Sequence, residues 1–311
     1  MNKVSPHNPT VVVIAGPTAS GKTALAIWLA EKLGTQILSA DSRQCYQELN
    51  IGVARPSPEE LRQVHHYFIA SHSIQETVNA GSYAAYGLKV LDELFERFGI
   101  VLVVGGTGLY LKALIEGVDD MPPIPMSIRQ GVTEQYNKNG LPWLQQQIRL
   151  QDPTFWAQAE QANPQRLMRG LEFKLATGTS ILEFRKNEPQ QRNFKVIKIG
   201  LELPRAILYE RINLRVDQML AAGLEKEVQD LLPFRDLNAL QTVGYKELFD
   251  YFDLKTGRAK AVESIKQNTR HYAKRQMTWF KKDENFQWFA PSDKENILSC
   301  IKSAVNGDHS L

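Results

Sequence analysis

The sequence predicts an α/β protein: a parallel sheet flanked by helices, with an all-helical insertion domain. Three observations carry this. Short β-branched runs alternate with helix-like segments in the first third, residues 127–179 are polar and helical without a convincing strand, and an apolar strand-like run then returns. In chain order, "VVVIA" (11–15) reads as a buried strand and Lys22 to Leu33 as a helix. "QILSAD" (36–41) and "HYFIAS" (66–71) read as strands, residues from about Ser82 to Phe98 as a helix, and "IVLVVGG" (100–106) as a central strand. "VDDMPPIPMS" is Pro-rich and predicts a linker or hinge. "FKVIKIGLEL" (194–203) completes the sheet, helices follow from Arg205 to about Phe280, and the tail after Asn285 reads as surface helix and loose ends. The expected division is a core of residues 1–120 and 194–311 and an insertion of residues 121–193.

Composition narrows the classes. With 311 residues and 43% hydrophobic content the chain buries an ordinary soluble core. Cys45 and Cys300 lie far apart without a CxxC or Cys/His spacing, which excludes a disulfide framework and a zinc site and predicts a reducing cytoplasm. The start, "MNKVSPHNPT", is polar, and no apolar run approaches a membrane span, so no membrane partner is expected. A net charge of +3 is too small to identify a partner, so any nucleic-acid signal must come from where the charges sit.

Gly16, Gly21, Lys22 and Thr23 fit G-x-x-x-x-G-K-[ST] between a strand and a helix, which makes the core P-loop NTPase-like. Such a loop points successive N–H groups at phosphate oxygens, its lysine adds charge, and the helix end adds a partial positive charge. Thr23 would offer a hydroxyl to Mg²⁺. The loop alone invites an ATP-binding reading, yet it recognises only phosphate and not what the phosphate is attached to. A nucleotide-cleaving enzyme also wants an Asp at the end of an apolar strand. "IVLVVGGTGLY" ends instead in Gly105, Gly106 and Thr107, which either form a second phosphate surface or simply turn the chain into the next helix. Asp41 ends another strand and reads as a metal carboxylate, a base or a surface-turn residue.

Between Lys255 and Lys282 stand nine Lys or Arg and one acid, Glu263. At helical periodicity Lys266, Arg270, Lys274 and Lys281 fall within roughly 80° of one another, while Ile265, Tyr272 and Trp279 gather on another face. Solvated charged faces usually mix signs, so contact with a nucleic-acid backbone is the favoured reading. Arg166 and Arg169 form a smaller cluster one turn apart, and together the two suggest RNA or DNA bound between the insertion and the core. Trp143, Phe155 and Trp156 read as core, and His65 and His66 as structural.

Taken in order, "GPTASGKT" (16–23), "SADSRQCY" (39–46), "VGGTGLYLKAL" (104–114), "NPQRLMRGLE" (163–172), "VGYKE" (243–247) and "AKRQMTWF" (273–280) resemble the bacterial-type tRNA dimethylallyltransferases, the IPP transferase family. The resemblance spans almost the whole chain. It implies transfer of a dimethylallyl group from dimethylallyl diphosphate to N6 of adenosine-37 in the anticodon stem-loop of tRNA, with pyrophosphate leaving. It further implies a diphosphate held by Gly16, Pro17, Thr18, Ala19, Ser20, Gly21, Lys22 and Thr23 with Mg²⁺, and catalytic roles for Asp41 as base and for Thr107 and Arg215 at the pyrophosphate. By the same matching, tRNA contacts fall on Asp41, Ser42, Arg43, Gln44, Thr107, Arg129, Gln165, Arg166, Leu167, Met168, Arg169, Lys274 and Arg275. The expected protein is a cytoplasmic monomer. "IGVARP", "HHYFIAS" and Lys281 depart from the family's usual residues. A prenyltransferase acting on free AMP, ADP or ATP, a P-loop kinase, and an RNA-binding protein with an inactive loop are the competing readings.

Overall fold

The computed structural model describes residues 9–185 and 188–307. Its sheet is built from β1 (Thr10–Ala15), β2 (Ile37–Ser39), β3 (His66–Tyr67), β4 (Ile100–Gly105), β5 (Lys195–Leu201) and β6 (Phe286–Phe289) in the order β3-β2-β4-β1-β5-β6. Every pairing is parallel; Val13 of β1 lies opposite Val103 of β4 on one side and Lys198 of β5 on the other. The helices are α1 (Lys22–Leu33), α2 (Pro58–Gln63), α3 (Ala80–Phe95), α4 (Gly108–Glu116), α5 (Met126–Gln151), α6 (Pro153–Gln158), α7 (Pro164–Thr177), α8 (Ile181–Phe184), α9 (Arg205–Ala221), α10 (Leu224–Asp230), α11 (Tyr245–Phe252), α12 (Arg258–Phe280) and α13 (Lys294–Asn306).

β1 is apolar from Val11 to Ala15 because helices cover both faces of the sheet. Successive side chains point to opposite faces. Val11, Val13 and Ala15 pack with residues of α3, α4, α10, α11 and α12, whereas Val12 and Ile14 pack with α1 and α13. β1 therefore anchors two hydrophobic layers at once, and the loop that leaves its carboxyl end is fixed by both.

Several expectations change here. The strand predicted over 66–71 stops at Tyr67, since Phe68 and Ala70 adopt left-handed backbone (φ 63° and 46°), which no ladder tolerates. The helix predicted from Ser82 starts at Ala80, where Asn79 accepts the N–H groups of Gly81 and Ser82, and it ends at Phe95. The tail is not loose: β6 extends the sheet beside β5, and Ile297, Leu298 and Ile301 of α13 are buried on the α1 face. "FQWF" is too short to show alternation, so only its pairing with β5 makes it a strand.

The chain divides into one compact unit of residues 1–117 and 191–311 and another of residues 118–190. The Pro-rich stretch belongs wholly to the second unit. Among the described residues that unit has helices and no strand, with a core of its own centred on Leu144, Ile148, Phe155, Leu167, Leu171 and Phe173. Gly140 (φ 72°) breaks the helical geometry of α5, with Pro142 two residues on. Within the first unit, Arg192 donates to the carbonyls of Ala113, Leu114 and Ile115, satisfying the end of α4.

Candidate functional site

The loop from Gly16 to Thr23 runs from β1 into α1, and Gly21 caps the helix in left-handed backbone. Ala19 also has positive φ (63°), a strained conformation held at a functional turn. Lys22 curls back over the loop: its ammonium donates to the carbonyls of Gly16 (2.9 Å) and Pro17 (2.7 Å). Burial, against the attraction of Asp41 and with a smaller push from Arg215, lowers its pKa to about 7. Arg215 projects from α9 and donates to the Thr18 hydroxyl (3.4 Å). Burial lowers the pKa of this guanidinium too, opposed by Glu60. Two cations thus stand desolvated at a loop rich in N–H donors, an arrangement that an anionic ligand would relieve.

Gln276 is the site residue that sequence reading left without a role. Buried on α12, its amide oxygen accepts the Thr18 N–H (2.8 Å) and its amide nitrogen donates to the Gly106 carbonyl (2.9 Å). It ties the phosphate loop to the end of β4. The available signal was a polar side chain one turn from Ala273 and Phe280, on the buried side of an otherwise exposed helix.

Asp41 follows β2 at the same end of the sheet. Ala40 donates its N–H to Val104 (2.7 Å) and accepts that of Thr107 (3.2 Å), which joins the two strand ends. A side chain at Gly105 would stand 2.2 Å from the Ala40 carbonyl oxygen, so glycine is required for that approach. One Asp41 carboxylate oxygen accepts the N–H groups of Arg43 (2.9 Å) and Gln44 (3.2 Å). The Thr107 hydroxyl accepts the Ser42 N–H (3.1 Å) and donates to the Ser42 hydroxyl (3.3 Å). Tyr272 of α12 shares this neighbourhood: burial, then the Asp41 charge, pushes its phenol up to about 12, with a hydrogen bond to Thr107 acting the other way.

Thr18 to Thr23, Asp41 to Gln44, Arg215, Tyr272, Arg275 and Gln276 line a single cavity of about 720 Å³ in the first unit. One part is apolar, walled by Val216, Met219, Leu224, Val243 and Ile265. Phosphate donors, a carboxylate and an apolar wall therefore open onto one space. Among the described residues no three His, Cys, Asp or Glu side chains cluster as a metal site. The Thr23 hydroxyl would suit only an ion that keeps waters and takes oxygens from its ligand, which is how Mg²⁺ binds diphosphates.

The expected RNA contacts are distributed unevenly. Arg43 donates to the carbonyls of Asn238 (2.7 Å) and Ala239 (3.0 Å), and Gln44 to those of Val53 (3.2 Å) and Ala54 (2.9 Å), so both side chains also hold the cavity wall. In the helical unit Gln165 and Arg166 are exposed on α7 and Arg169 is half-buried. Burial and then Arg129 lower the pKa of Arg169, while the buried Arg129 Nε has no hydrogen-bond partner. Leu167 and Met168 are buried in that unit's core, so their side chains pack there, and the polar face of α7 carries the exposed groups.

The basic stripe is also redrawn. Lys266 pairs with Asp217 (2.7 Å), Arg270 with Glu263 (3.0 Å) and Asn213 (2.8 Å), and Lys281 with Glu202 (2.6 Å). Three of the four predicted members are neutralised within the protein. Their partners Asp217 and Glu202 belong to α9 and to the turn after β5, beyond the reach of local charge counting. Lys274, Arg275 and Lys282 instead are exposed and make no ion pair among the described residues.

Comparison with known proteins bears on this geometry. Residues 44–283 match the model of a family described as IPP transferase. The chain is 45% identical over 298 residues to a tRNA dimethylallyltransferase of Cytophaga hutchinsonii, covering 96% of this chain and 98% of that one. A relative of the same description from Flavobacterium psychrophilum is 44% identical over 302 residues, covering 95% and 98%. The crystal structure of a Bacillus halodurans tRNA isopentenylpyrophosphate transferase superposes with a TM-score of 0.71 at 32% identity, over 96% of this chain and 97% of that one. A eukaryotic dimethylallyltransferase acting on tRNA shares the fold, with a TM-score of 0.74 at 23% identity over 96% and 79%.

Proposed function

The chain belongs to the IPP transferase family, and on that premise we propose that it transfers a dimethylallyl group from dimethylallyl diphosphate to N6 of adenosine-37 in tRNA. One observation carries the reading: the phosphate loop faces Asp41, rather than a second metal-binding carboxylate after β4, across a cavity that also has an apolar wall. A prenyl diphosphate has the matching two ends.

The residues divide the work. The exocyclic amine of adenine attacks carbon 1 of the allyl group, the C–O bond breaks, and negative charge grows on the departing pyrophosphate. Loop N–H groups from Thr18 to Thr23, Lys22, Arg215 and the Thr107 hydroxyl are the groups suited to stabilise that charge. Mg²⁺, held through Thr23 and the diphosphate itself, would supply further neutralisation of the leaving group. Asp41 accepts the proton that the amine must lose. Its one oxygen is fixed by the Arg43 and Gln44 N–H groups, which orients the other. The adenine must leave its stack to reach this cavity. Exposed groups of α7 in one unit, and of α12 in the other, each offer positive charge to the RNA. A tRNA substrate places the proposed activity in the cytoplasm, and the protein is proposed to act as a monomer. Among the described residues no helix is long and apolar enough to cross a membrane.

Incubation with labelled dimethylallyl diphosphate, Mg²⁺ and unmodified tRNA should place label in the tRNA. Label only in AMP when that acceptor is offered, or product only when ATP replaces the prenyl donor, overturns the reading.

A further inference from the structure

We propose that Trp279 is a stacking platform for one unpaired RNA base adjacent to the reacting adenosine, with Lys274, Arg275 and Lys282 on the flanking phosphates. The inference rests on the tRNA reading above and adds an RNA-binding residue that the sequence assigned to no ligand.

Of the five tryptophans, Trp279 alone is exposed, at 46% of its surface. It is also fixed in place. Its indole edge lies in a notch left by Gly108, where a side-chain carbon would stand 2.2 Å from the ring atoms Cδ1 and Nε1. Gly108 directly follows Thr107, and Gln276, one turn before Trp279, bonds Thr18 and Gly106. The platform is therefore built on the same short segments that form the diphosphate end of the site.

The surroundings select the partner. Trp279 shares a hollow of about 390 Å³ with His271, Lys274, Arg275, Thr278 and Lys282, all exposed. No acid lines it, whereas Arg258, Lys266 and Arg270 of α12 are paired with carboxylates. An aromatic face among unneutralised cations fits single-stranded nucleic acid, in which bases stack on rings while phosphates meet charge. A packing role alone would hide the ring, and a solvated charged face has no use for it.

The test uses the full chain and a synthetic anticodon stem-loop RNA. Trp279→Ala should weaken RNA binding about 5- to 100-fold, the range for one stacked base, with the salt slope unchanged because no charge is removed. Trp279→Phe should retain most of the affinity. Lys274→Gln with Lys282→Gln should instead lower the slope by about 0.7 for each phosphate that is no longer neutralised. An RNA carrying an abasic residue on the 5′ or the 3′ side of the reacting adenosine should reproduce the Trp279→Ala effect on the unaltered protein. On Trp279→Ala it should weaken binding no further, a result that needs no assumption about the variant's folding. Full RNA affinity in Trp279→Ala, or additive effects with both abasic RNAs, overturns the platform while tRNA prenylation by the unaltered protein stands. Failure of the unaltered protein to prenylate or bind tRNA overturns both.

Discussion

Asp41 and Lys22 face the same cavity with opposite duties, and each makes a prediction of its own. Asp41→Ala should cut the single-turnover rate by about two to four orders of magnitude, the range for loss of a general base, while RNA binding survives. Near-normal turnover would remove it from the base role. Lys22 titrates at about 7 in the free protein because burial penalises its charge. A bound diphosphate favours the charged form, so its pKa rises in the complex. At pH 8 the free protein holds Lys22 largely neutral, and binding must take up a proton. Affinity for a non-reactive prenyl diphosphate analogue should therefore decline as pH climbs above about 7. Calorimetry in two buffers of different ionisation enthalpy should register proton uptake at pH 8, and Lys22→Met should abolish it. Equal apparent enthalpies in both buffers would mean that Lys22 is already charged. The sequence announced Lys22 and Asp41 through their neighbours, but not the carbonyls of Gly16 and Pro17 that hold the lysine until a ligand arrives.

At the scale of an element, α12 combines three jobs that its sequence superimposes. One face packs Ile265, Ala273 and Phe280 into the sheet layer, a second pairs Lys266 and Arg270 with carboxylates, and a third presents Lys274, Arg275 and Trp279. Gln276 belongs to the packed face although it is polar, because it has two backbone partners to satisfy it. Gln276→Leu should leave the Thr18 N–H and the Gly106 carbonyl without those bonds. We expect the KM for dimethylallyl diphosphate to increase more than kcat falls, through a loosened loop, together with a loss of about 1–3 kcal/mol in stability. Steady-state kinetics and chemical unfolding check both, and unchanged KM would reduce Gln276 to packing. Helical periodicity found α12 readily. It could not sort the faces, since the acid that neutralises Lys266, the Asn213 that meets Arg270 and the loop and strand end that receive Gln276 come from distant sequence.

For the whole molecule, the groups proposed for the diphosphate fall in one unit and those proposed for tRNA in both. Every group assigned to the diphosphate belongs to residues 1–117 and 191–311, while Arg129 and Arg166 belong to residues 118–190, which have a core of their own. Leu144→Ala, at a fully buried position of that second core, should cost about 2–5 kcal/mol. It should render residues 118–190 more sensitive to limited proteolysis and weaken tRNA binding. Affinity for the prenyl diphosphate analogue should stay unchanged, and a parallel decline of both affinities would show that the donor site depends on the helical unit.

The roles expected of Asp41, Thr107 and Arg215 came from the family resemblance, whereas the sequence by itself determined the parallel sheet, the phosphate loop and the helical insertion. These depend on periodicity, turn residues and spacing within a few positions, which are local properties of the chain. Tertiary structure decided that "FQWF" is a strand, that Leu167 and Met168 face a core, that Lys266, Arg270 and Lys281 are spent on internal pairs, and that Gln276 bridges the loop to β4. Apart from the Glu263 partner of Arg270 on the same helix, each depends on a partner many residues away: a ladder, a packed layer, a carboxylate or a carbonyl that only folding brings within bonding distance.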